Sequence, residues 1–203
     1  MDAKTQKAEL TRAAIVGAAL DLAAAEGLES ITLQVVADRV GLSKSGVFSR
    51  VGSREALQKA VIEEFGRRFL ADVFVPAMQQ PKGLPRLNDI VRRWILRLCD
   101  AQASRSCIYT AGAFELDDRE GELRDQLHGE VTRWRAALRR TVLQAIEAGH
   151  LAPDTPPDQL VAEIYAMVIG MLHDVRFLRD PHAVPRTEAS WARLLKSYQP
   201  CAA

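Results

Sequence analysis

Between Arg39 and Arg54 the only ionisable side chains are Arg39, Lys44, Arg50 and Arg54, and no carboxylate interrupts them. Ser43, Ser45, Gly46 and Ser49 share the window. Cations without local acids attract phosphate, and small residues at a helix start let its free N–H groups approach a nucleic-acid backbone or groove closely. The chemistry implied is recognition of a polyanion, not catalysis. The neighbouring residues say how such a surface would be held. Thr32 is placed to cap one helix, with Ile31 stapling onto Val36, and Gly41 to end it in the left-handed conformation. Leu42-Ser43 repeats the opening, with Ser43 as cap and Leu42 stapling onto Val47. Val51-Gly52 closes this second helix and Ser53 caps a third. The spacing predicts a helix over about Lys44 to Arg50, held between two turns with its polar side free, which is how a helix-turn-helix displays its DNA-reading helix.

Ser43-Lys44-Ser45-Gly46-Val47-Phe48, followed by Gly52-Ser53-Arg54-Glu55-Ala56-Leu57, resembles the helix-turn-helix signature of the tetracycline-repressor (TetR) family of bacterial transcription regulators. The similarity spans roughly Thr11 to Phe65, and beyond it only the helical pattern and length agree. The family commonly has an aromatic hydroxyl where this chain has Phe48, and a His-Phe pair where it has Arg50-Val51. Phe48 cannot donate a phenolic hydrogen bond to phosphate, whereas Arg50 brings a charge. On this reading Thr32, Gln34, Ser43, Lys44, Ser45, Gly46, Phe48, Ser49, Arg50 and Arg54 form the DNA-contacting set. Ser45 and Ser49 lie nearest base edges, and Lys44, Arg50 and Arg54 hold phosphates.

Composition narrows the alternatives. A net charge of only +1 means that nucleic-acid affinity must come from local clustering, as in the acid-free window. Cys99, Cys107 and Cys201 are an odd set without CxxC spacing, which points to a reducing cytosol and cytoplasmic location rather than a disulfide framework or zinc site. The apolar run from Ala13 to Ala25 is broken by Asp21 and reads as a helix, not a signal peptide. No apolar run is long enough to span a membrane. Glu115, Asp117, Asp118 and Glu120 lack the ligand spacing of a calcium loop, and His128, His150, His173 and His182 are scattered. GxSxG, GxxxxGK[ST] and GxGxxG are absent, so no enzyme activity, metal or cofactor is expected.

The elements needed to carry the window follow from periodicity. Met1 to Glu9 lacks apolar periodicity and is expected to be a mobile arm. Thr11 to Glu26 places Ile15, Ala19, Leu22 and Ala23 on one face, and the helix begun at Ser53 repeats Leu57, Val61, Phe65 and Phe69. Pro76, Pro81, Gly83 and Pro85 mark the composition break. The fold class expected is all-α: an N-terminal three-helix DNA-binding domain over 1–56, its linking helix running on to about 75, and a larger C-terminal effector-binding and dimerisation domain over 57–203. Further helices are predicted over Pro85 to Ala103, with Arg92, Arg93 and Arg97 off the apolar stripe, and over Cys107 to Leu116 and Glu122 to Ala148. The next restarts near Asp154 to Asp158 and is apolar on nearly all sides to Leu178, and the last spans Arg186 to Gln199.

A helix apolar all round wants two partners, so the last two helices are expected to close a homodimer that meets a near-palindromic duplex operator, and a charge at Ile169 or Leu195 to split it. The family resemblance places a small-molecule effector among the C-terminal helices, and Trp94, Phe114, Trp134, Tyr165, Met167 and Met171 are the expected apolar lining. The function so implied is a ligand-responsive, sequence-specific transcriptional regulator, a repressor released by a small apolar effector. Two other readings stay open: a redox-sensing regulator using Cys99 or Cys107, and a helical interaction module without specific DNA binding.

Overall fold

The computed structural model describes residues 2–99 and 107–200, and among them every regular element is a helix. The chain divides into two compact units: 1–69 with 104–131, and 70–103 with 132–203. The first therefore takes in a stretch from the middle of the chain that the role-based boundary at 56/57 leaves out.

The first unit opens with α1, Ala3–Glu26. Its helix begins well before Thr11, so the expected arm is helical from Ala3 onward, although residues 5–10 are exposed. Ile15, Ala19, Leu22 and Ala23 are buried as their spacing requires. A short 3-10 turn, Leu28–Ser30, leads into α2, Leu33–Val40, then α3, Lys44–Val51, and α4, Arg54–Phe69. On α4, Leu57, Val61, Phe65 and Phe69 are all at most 2% exposed, so the four-residue repeat forms the buried face of this helix, whose principal neighbour is α1. The unit is completed by α7, Ile108–Leu116, and the first part of α8, Glu122–Glu147. Tyr109 of α7 packs edge-on against Phe65, with ring centroids 4.9 Å apart.

The second unit begins with a π-helical turn, Leu70–Phe74, running into the single-turn α5, Val75–Ala77, where Pro76 is tolerated because the first helical N–H groups need no partner. Next come α6, Leu84–Cys99, the rest of α8, and α9, Pro157–His173. A second π turn, Asp174–Leu178, precedes α10, Ala183–Ser197, which starts three residues earlier than its apolar pattern suggested. Arg97 corrects the stripe reading of α6. It is buried, not solvent-facing, and its guanidinium pairs with Asp72 of the first π turn, so a charge on the apolar side is neutralised where it is desolvated. The end expected for this helix, near Ala103, lies outside the described residues.

Candidate nucleic-acid interface

Each cap read from the sequence is made. Thr32 Oγ1 accepts the Val35 N–H at 3.2 Å, Ser43 Oγ accepts the Gly46 N–H at 3.1 Å, and Ser53 Oγ accepts the Ala56 N–H at 3.0 Å. Gly41, at φ 66° and ψ 34°, supplies the left-handed residue between α2 and α3, a conformation that a β-carbon would strain. With Val47 and Val51 buried beneath it, α3 turns Lys44, Ser45, Phe48, Ser49 and Arg50 outward. Positions 44, 45, 48 and 49 share one face at i, i+3 and i+4 spacing.

The polar groups are arranged locally. Arg50 folds back, its Nη1 donating to the Gly46 carbonyl at 2.8 Å, and Ser49 Oγ donates to the same oxygen at 3.0 Å. Ser43 and Ser45 hydroxyls lie 3.1 Å apart. Gln34 donates to Asp38 at 2.8 Å, and Arg39 pairs with Glu26 at 3.2 Å. The window is thus acid-free along the chain but not in space. Arg54 shows this most clearly: Nε donates to the Ile31 carbonyl at 2.7 Å, and Nη2 to the Glu29 carbonyl at 2.6 Å and the Glu29 carboxylate at 3.3 Å. Its fork ties α4 to the entrance of α2, so Arg54 is first of all a positioning residue for the motif.

The fork belongs to a network that sequence reasoning missed. Glu29 also pairs with Arg119 at 2.9 Å. Burial pushes the Glu29 carboxyl up, but Arg119 and Arg54 outweigh it and hold the group below the usual carboxylate range. Glu115, at the end of α7, accepts the backbone N–H groups of Leu28 and Glu29, each at 3.2 Å. This carboxylate sits so close to Gly27, whose φ is +91°, that a β-carbon there would lie 2.6 Å from Oε1. Gln58 Nε2, buried, donates to the Leu28 carbonyl at 2.9 Å. The 3-10 turn ahead of the motif is held from both sides. On the far side of α4, Glu64 receives Arg67 and Arg68, each at 2.7 Å. The Arg67 contact is the main cause that holds its carboxyl down at about 2.

The expected effector lining divides. Trp94, Trp134 and Tyr165 are buried and pack edge to face, with centroids 5.4 Å apart for the tryptophan pair and 5.0 Å for Trp94 and Tyr165. The Arg135 guanidinium stacks 4.5 Å above the Tyr165 ring. Met171 is buried and Met167 half-buried on α9. Phe114 does not join them: it is 68% exposed and belongs to the other compact unit. Its side of α7 is not an inward stripe, because Ile108, Gly112 and Leu116 form the buried one. Clefts of about 620 Å³ and 540 Å³ lie in the first unit, and their walls are mainly charged, including Glu9, Arg12, Glu64 and Arg68 in one and Glu29, Arg54, Glu55 and Arg119 in the other. Neither suits an apolar guest. Among the described residues no group of three or more His, Cys, Asp or Glu could hold a metal ion, and no helix is long and apolar enough to cross a membrane.

An all-helical chain that presents a capped, outward-facing helix between two tight turns falls in the helix-turn-helix class. The family described as tetracyclin repressor-like, C-terminal domain, matches residues 83–191. The chain belongs to this family, the tetracycline-repressor-like transcriptional regulators. No curated protein matches the sequence. Among solved structures it is similar to a TetR-family transcriptional regulator from Cytophaga hutchinsonii, at 18% identity and TM-score 0.81, covering 97% of this chain and 98% of that one. A TetR regulator from Chloroflexus aurantiacus aligns at 20% identity and TM-score 0.79 over 94% and 95% of the two chains. AibR, solved in complex with isovaleryl coenzyme A and operator DNA, aligns at 18% identity and TM-score 0.71 over 91% and 97%. These likenesses carry the fold across nearly the whole chain.

Proposed function

We propose that this chain is a homodimeric, cytoplasmic repressor that reads a near-palindromic duplex operator with α3 and releases it when a small apolar effector binds among α6, α8 and α9. The observation that carries the reading is the exposed face of α3, where Lys44, Ser45, Phe48, Ser49 and Arg50 project from a helix fixed at both ends. Thr32, Gln34, Ser43 and Gly46 border that face, and Arg54 positions it through Nε and Nη2 while keeping Nη1 for phosphate. The role-based division follows: 1–56 reads DNA, and 57–203 senses and dimerises. That AibR was solved with both an acyl-coenzyme A and operator DNA supports the pairing of the two partner classes in one such fold.

The effector would enter beside Trp94, Trp134, Tyr165, Met167 and Met171, where an aromatic wall and an adaptable thioether suit an apolar guest. The redox alternative fares worse. Cys107 is buried, and burial, with Glu188 nearby, pushes the Cys99 thiol up and away from thiolate.

The test is selection of duplexes from a randomised pool on the full-length protein, followed by affinity measurements across salt. Lys44→Ala should flatten the log K against log salt slope by about 0.9 per protomer contact, weakening all sequences alike. An unchanged slope would remove Lys44 from the phosphate contacts, and enrichment of no duplex would defeat the DNA-reading assignment.

A further inference from the structure

We propose that Phe48 reads base identity: its ring contacts the C5-methyl group of a thymine in the major groove, so that each half-site requires thymine at one position. The proposal rests on α3 being the recognition helix. Phe48 is 56% exposed, although it sits in the middle of the outward face formed by Lys44, Ser45 and Ser49. The polar groups around it are turned toward the helix itself. Ser49 and Arg50 both donate to the Gly46 carbonyl, and Ser45 lies against Ser43. Between the Lys44 ammonium and these inward-turned groups, the middle of the face is therefore an exposed apolar ring with no hydroxyl.

A phosphate has nothing to accept from that ring. On the floor of the major groove most other exposed edge atoms are hydrogen-bond donors or acceptors, which an apolar surface would desolvate without replacing their partners. The thymine methyl is the largest apolar group there, and covering it removes apolar area from water on both sides of the contact. Phe48 then discriminates thymine from cytosine, whose C5 carries only hydrogen. Because the ring is exposed, its replacement leaves the folding core, built on Val47 and Val51, intact.

The experiment takes the selected duplex and replaces its thymines one position at a time by deoxyuridine, which removes the methyl and nothing else. Affinities are measured by fluorescence anisotropy at fixed salt for the wild type, Phe48→Ala and Phe48→Leu. One position in each half-site should weaken wild-type binding about fourfold, the worth of one buried methyl group. Phe48→Ala should bind the thymine and deoxyuridine duplexes equally, and Phe48→Leu should keep part of the difference. Salt slopes should agree among all three, since no charge changes. The proposal is overturned if no thymine methyl matters to the wild type, or if Phe48→Ala discriminates as strongly as the wild type does. A pool from which no duplex is enriched overturns the recognition-helix reading and this proposal together, whereas an enriched duplex without a Phe48-dependent methyl effect overturns this proposal alone.

Discussion

A guanidinium can address several oxygens from one plane, and Arg54 does so with two backbone carbonyls and a carboxylate. An ammonium keeps the charge but loses the fork. Arg54→Lys should therefore lower stability by about 1 kcal/mol, a figure already reduced for a side chain 45% exposed. In a chain of this size that is a fall in Tm of roughly 2–4 °C. The salt slope of DNA binding should stay within error of the wild type. Lys44→Ala should do the reverse, changing the slope and not the melting curve, and an Arg54→Lys protein that melts like the wild type would end the positioning role. Residue chemistry was legible in the sequence where it acts over three or four positions. Thr32, Ser43 and Ser53 cap what their spacing says they cap. It was not legible where the partner is remote. Nothing near Arg97 in the chain announces Asp72, and nothing near Arg54 announces that Glu29 would meet it.

At the scale of elements, the apolar repeats of α1 and α4 predict their buried faces, because a helix repeats its environment every turn. The placement of α7 had no such signal. Its acidic end offers in the sequence only carboxylates without the spacing of a calcium loop, whereas Glu115 serves as the acceptor for two amides of a turn that lies 86 or 87 positions away. An acceptor that satisfies the free N–H groups at the start of a helical turn contributes about 1 kcal/mol. Glu115→Ala should release those amides: hydrogen exchange at Leu28 and Glu29 should quicken, while exchange in the middle of α4 stays slow. Glu115→Gln, which keeps one acceptor oxygen, should fall between. Unaltered exchange at both amides in Glu115→Ala would show that solvent serves the turn as well as the carboxylate does. Phe114, the neighbour of Glu115, was misplaced for the same reason: a nine-residue helix with little polarity offers no pattern that tells its covered face from its open one.

For the molecule as a whole, α9 is the informative helix. Leu160, Val161, Ile164, Tyr165, Val168, Met171 and Leu172 are buried in the protomer. Ala166 and Gly170 are exposed, with Ile169 half-covered, and Phe177 and Leu178 stand 78% and 56% exposed just beyond. A second copy would cover that side. Ile169→Glu should then shift the protein to monomer in sedimentation at micromolar concentration and abolish operator binding, with its helix content unchanged. A wild type that sediments as a monomer would refute the dimer. Leu195, equally suggestive in the sequence, is the wrong place for the charge, since it is only 8% exposed within one chain and Leu195→Glu would damage the protomer first. The unit that carries α3 has its own consequence for how such proteins acquire new targets. Its pieces, 1–69 and 104–131, are separated in the gene by a long stretch of the other unit. Transplanting the first piece onto a foreign body would leave the Leu28 and Glu29 amides without Glu115, and Glu29 without Arg119. On the proposed reading of α3, recombination of whole segments is thus a poor route to a new operator, and the accessible one is substitution, a residue at a time, on the small open face of that helix.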